Sequence, residues 1–75
     1  MSDFERWVWK NLTKIQVDYL DYVATCLVDG YDPQPILVNY DGRYALVSKE
    51  AKVEGVIRIQ DDEYPEEVVF ALNPS

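Results

Sequence analysis

The side chains with the most chemical potential are the carboxylates that follow Gln60: Asp61, Asp62, Glu63, Glu66 and Glu67, with no lysine or arginine from there to the last residue. Clustered carboxylates can share a proton, cage a hard cation, or present an anionic surface. Acid/base work of the glycosidase kind needs two carboxyl groups facing each other across a cleft, and a chain of 75 residues offers little volume for one. The chain also has no histidine, the group best suited to proton transfer near neutral pH and the usual base for a serine or cysteine nucleophile. The sequence therefore predicts no catalytic residues and no enzyme. Calcium favours such oxygen ligands, but residues 61–67 lack the spacing and internal glycine of an EF-hand loop. Zinc lacks ligands, because Cys26 is the only cysteine. Gly30, Gly42 and Gly55 stand apart and build no phosphate-cradling loop. No metal and no cofactor are expected.

The anionic surface remains. Fourteen acidic against seven basic side chains give a net charge of -7 and a pI near 4.2, which argues against direct binding to nucleic acid or anionic membrane and favours a basic protein partner. The leading expectation is a small acidic protein-interaction module, an inhibitor or antagonist that blocks a basic nucleic-acid-binding protein or nuclease. Phage antidefence proteins and nuclease immunity proteins have this size and charge, an analogy that rests on nothing finer. The expected partner-binding residues are Asp61, Asp62, Glu63, Glu66 and Glu67, assisted by Asp29, Asp32 and Asp41 if the fold brings them near, with Trp7 as an apolar anchor. The same carboxylates also read as a solvated loop that discourages edge-to-edge aggregation. Two other functions fit: a structural homodimer or assembly subunit using the aromatic helix surface or an open sheet edge, and a metal- or ligand-regulated module centred on the acidic 61–67 loop.

These residues must be positioned by a small number of elements. From Ser2 to Gly30, with Phe4 at zero on a wheel of about 100° per residue, Val8, Leu12, Ile15, Tyr19, Tyr22, Val23 and Cys26 fall within roughly one quadrant, the pattern of an amphipathic helix. Ser2 and Glu5 have capping-box spacing and Gly30 is a natural stop. Thr13 and Gln16 repeat that spacing, so the stretch reads either as one helix, straight or kinked near 11–13, or as two helices over 3–11 and 14–29. Trp7 lies off the stripe, while Trp9, Leu20 and Leu27 form a shoulder beside it, which reads either as a partner or dimer surface or as apolar surface wrapped by a twisted sheet, the latter being the expectation for Leu20 and Leu27.

Pro33 and Pro35 make a stiff connector. Residues 36–40 and 43–47 around Asp41-Gly42 predict a two-residue hairpin that pairs Tyr40 with Arg43, Val38 with Ala45 and Ile36 with Val47 on the core face. Residues 48–52 read as a turn, Val53 to Gln60 as an alternating third strand, 61–67 as a loop, and Val68 to Leu72 as a fourth strand, with Asn73-Pro74-Ser75 ending the sheet. Short connections require antiparallel neighbours. The expected fold is a single α+β domain, one amphipathic helix packed on a four-stranded antiparallel meander. A lone cysteine, no signal-like amino terminus and no long apolar run predict a cytoplasmic protein in which Cys26 is a core residue.

Overall fold

The computed structural model describes residues 2–72. One helix, α1 (Asp3–Asp29), precedes four strands, β1 (Ile36–Tyr40), β2 (Arg43–Lys49), β3 (Val56–Asp61) and β4 (Glu67–Ala71). The strands pair antiparallel in chain order. The chain thus adopts the α+β meander expected of it. The ending assigned to Asn73-Pro74-Ser75 lies outside the described residues.

α1 runs unbroken for 27 residues, about 40 Å at 1.5 Å per residue. The Ser2 hydroxyl accepts the Glu5 amide at 3.1 Å, and Gly30 closes the far end as the Tyr31 amide bonds back to the Cys26 carbonyl at 2.8 Å. The two-helix alternative is not adopted. No glycine or proline interrupts residues 3–29, and the buried stripe passes in phase from Val8 to Ile15, so a break would misalign one half. The polar residues at the suspected break serve the fold instead. Asn11 donates to the Trp7 carbonyl at 3.0 Å, and Gln16 reaches the Ala71 carbonyl of β4 at 3.3 Å.

The hairpin has the expected register, including Ile36 with Val47, Val38 with Ala45 and Tyr40 with Arg43. Asp41 and Gly42 both take positive φ, at 55° and 76°, the backbone of the two-residue turn whose twist matches its strands. The third strand starts later than alternation predicts, at Val56 rather than Val53. β2 continues to Lys49, which pairs with Ile57, so residues 50–55 are consumed by the connection, and Gly55 turns the chain at φ 75°. Val53 is exposed as a result.

Phe4, Val8, Ile15 and Tyr19 from α1 meet Ala45 and Val47 from β2 and Ile57 and Ile59 from β3, all essentially inaccessible to solvent. Val68 and Phe70 on β4 and Ile36 and Tyr40 on β1 close the sides. The Tyr19 hydroxyl is buried with the Lys49 backbone as its polar neighbour but outside good hydrogen-bond geometry; burial pushes its pKa up. Cys26 is buried and free.

Trp7 departs from expectation, being only 8% exposed. Its flank of the helix faces the β1–β2 turn. The indole stacks on Phe4 with centroids 5.9 Å apart and donates its N–H to the Tyr40 carbonyl at 2.6 Å. Lys10 pairs with Asp41 at 2.9 Å, the Lys14 ammonium lies 5.4 Å from the Tyr40 ring centroid, and the Tyr40 hydroxyl donates to Asp18. Burial and then the Asp18 carboxylate push the Tyr40 pKa up to about 12. This flank straps the hairpin to the helix.

Ile15→Ala and Ile57→Ala are each expected to destabilise the protein by about 2–5 kcal/mol in urea denaturation, because both side chains are enclosed by helix and sheet. Leu27→Ala, on an exposed position, is expected to stay within about 0.5 kcal/mol of the parent. Equal losses at all three positions would contradict this assignment of faces.

Candidate protein-interaction surface

The five carboxylates after Gln60 do not form one patch. Asp61 ends β3 with its side chain only 5% exposed and is paired to Arg43, which starts β2. Its other oxygen accepts the Glu63 amide at 2.9 Å. The Arg43 guanidinium in turn lies 5.0 Å from the Phe4 ring centroid, so a stack of aromatic ring, cation and carboxylate ties the helix to the sheet. Burial alone would raise the Asp61 pKa, but the Glu63 amide and Arg43 outweigh it and hold the carboxyl below the usual range. Such a group stays charged near neutral pH, the opposite of what a general acid needs.

Glu67, at the start of β4, turns to the sheet face away from the helix. It lies 3.7 Å from Arg58, whose main partner is Glu50 at 2.8 Å; Arg58 holds the Glu50 carboxyl below its usual range. The expectation that no local cation neutralises the cluster is therefore corrected. Arg43 is remote in sequence and Arg58 stands just before the stretch, and antiparallel pairing brings Arg43 beside Asp61 and Arg58 beside Glu67.

Asp62, Glu63 and Glu66 remain exposed and free of ion pairs among the described residues. Glu66 accepts the Ser2 hydroxyl at 3.1 Å, which sets the loop against the first turn of α1. That turn carries Asp3 and Glu5, and the positive end of the helix dipole favours carboxylates there. Asp41 joins the same end of the molecule from the hairpin turn but is paired with Lys10, which holds its carboxyl below the usual range. Asp29 and Asp32 lie at or beyond the other end of α1, nearly a helix length away.

Two residues that the acidic cluster alone did not suggest stand among these groups. Tyr44 and Tyr64 are 51% and 59% exposed and line a depression of about 290 Å³ with Asp62, Glu63 and the Arg43–Asp61 pair. Tyr44 lies on the outer sheet face, paired with Asn39 of β1; nothing local to Tyr64 gives its neighbours. Trp7 belongs to the core next door and supplies no exposed anchor.

The helix shoulder also differs from expectation. Leu27 and Val28 are 70% and 87% exposed, with Val17, Leu20 and Trp9 exposed along the same side, because a narrow four-stranded sheet reaches only the opposite face of a straight helix. Trp9 keeps one edge on Phe70, with centroids 5.0 Å apart. Among the described residues no three carboxylate or cysteine side chains converge as a metal cage would, and no helix is long and apolar enough to cross a membrane.

Asp61→Asn is expected to cost about 1–3 kcal/mol at pH 7, since it leaves Arg43 beside a neutral group, whereas Asp62→Asn is expected to be nearly silent. A depressed folded-state pKa contributes stability above the unfolded value and loses it as pH falls through the folded one. The deficit of Asp61→Asn measured by denaturation should therefore shrink as pH drops below the ordinary aspartate value of 3.8; a deficit unchanged at pH 3 would refute the ion pair. Comparison with known protein families, curated proteins and solved structures finds no significant match to this chain.

Proposed function

We propose that this protein is a non-enzymatic interaction module that acts in the cytoplasm and uses its acidic end to bind a basic partner, as an inhibitor occupying a groove shaped for nucleic-acid phosphates. The observation that carries the reading is the hydrogen bond between Ser2 and Glu66, which joins the helix start to the 62–66 loop. Glu5, Asp62, Glu63 and Glu66, with Asp3 beside its exposed ion-pair partner Arg6 at 4.0 Å, thereby act from one end of the molecule rather than as two weak groups. Several carboxylates together steer a basic partner at long range. Tyr44 and Tyr64 add what charge lacks: flat, rigid surface that packs against lysine stems or guanidinium planes. The contact is then made by Asp62, Glu63, Glu66, Tyr44 and Tyr64. Asp61 holds the platform through Arg43, and Trp7 supports it from beneath.

The test is capture of basic proteins from a lysate on the immobilised protein, followed by titration of the captured partner at two salt concentrations. The triple variant Asp62→Asn, Glu63→Gln, Glu66→Gln is expected to associate about tenfold more slowly and to show a flatter salt dependence, with the fold intact. Tyr64→Ala should instead speed dissociation. Unchanged affinity and salt slope in the triple variant would refute the acidic end as the contact.

A further inference from the structure

We infer that the outward face of α1 is a self-association surface, on which a second copy of this chain packs antiparallel. Thr13, Val17, Leu20, Ala24 and Leu27 follow one another at spacings of four, three, four and three residues, all exposed, on a stripe that takes in the face opposite the core at Thr13, Val17 and Ala24 and the shoulder beside it at Leu20 and Leu27. That is the seam of a helix pair. The core stripe answers to the sheet, and nothing among the described residues covers this second one.

Charge selects the orientation. Lys14 and Asp21 flank the seam on the same side, seven residues apart. In an antiparallel pair with Val17 opposite Leu20 of the other copy, Lys14 comes within about 3 Å axially of the level of Asp21 on the other copy, and the symmetry repeats the match. The helix dipoles also oppose favourably. A parallel pair would set Lys10 against Lys10 in the seam and leave Lys14 and Asp21 without each other. In the antiparallel pair the Lys10 stem covers Leu27 of the other copy while its ammonium stays on Asp41, 2.9 Å away in its own chain.

The area sets the strength. From Trp9 to Val28 the stripe is about 28 Å long and about 10 Å wide, about 300 Å² per chain and roughly a third of what a standard interface buries on each partner. The dimer is therefore reversible, with a dissociation constant of roughly 10 μM to 1 mM. It leaves the acidic end free, so its failure and that of the proposed function are separable.

Sedimentation equilibrium should show the mass rising from 8.7 kDa toward twice that value across this concentration range. Val17→Glu is expected to weaken association about tenfold or more with the fold unchanged by circular dichroism, while Val69→Glu on the exposed sheet face leaves it unaffected. Lys14→Glu and Asp21→Lys should each weaken self-association, because each sets like charges against each other across the seam. An equimolar mixture of the two variants should restore association as a heterodimer, in which both facing pairs again have opposite sign. A monomeric mass at about 1 mM would overturn the inference. So would association that survives Val17→Glu, or a mixture that fails to recover; loss with Val69→Glu instead would assign the contact to the sheet.

Discussion

The structure depends on one contact, the apolar stripe of α1 lying along the inward faces of β2 and β3. A domain this small removes only about 60% of its unfolded surface from water, so stability rests on a short set of side chains. Phe4, Val8, Ile15 and Tyr19 from the helix and Ala45, Val47, Ile57 and Ile59 from the sheet make up most of it. A single straight helix cannot wrap a sheet. The far side of the helix, the outer sheet face and the open edges of β1 and β4 are left to solvent, and every surface available for recognition follows from that limit.

Charge is used in two ways. Asp61, Glu50 and Asp41 are drawn into pairs with Arg43, Arg58 and Lys10, which brace the ends of strands and the hairpin turn. Arg43 is the most informative of these, because it touches Phe4 on one side and Asp61 on the other and so couples the helix start to the end of β3. Of the carboxylates after Gln60, Asp62, Glu63 and Glu66 are those that no strand partner reaches. A surplus of acid is thus compatible with a braced fold, and it stands out at one end of the molecule.

The two candidate surfaces differ in chemistry as well as place. The acidic end offers long-range attraction with two tyrosines for local contact, a combination suited to fast, salt-dependent association. The back of α1 offers apolar side chains with one matched charge pair on its flank, suited to short-range association at high concentration. Self-association through the helix would double the number of acidic ends in one particle and raise the affinity for a partner with two sites.

Much of the architecture is legible in the sequence, because local physics governs it. A stripe at helical spacing, a serine cap, a glycine stop and an Asp-Gly turn each act within a few residues, and together they determined the helix, the hairpin register and the order of the sheet. The start of β3 was misplaced because alternation of apolar residues continues into a connection that Gly55 turns. The chemistry of the surface was decided only in three dimensions. Whether a carboxylate is free or paired depends on partners such as Arg43 and Arg58, set beside it by strand pairing. Whether Trp7 is buried or Leu27 exposed depends on how far a narrow sheet reaches around a straight helix, a distance that periodicity along the chain does not encode.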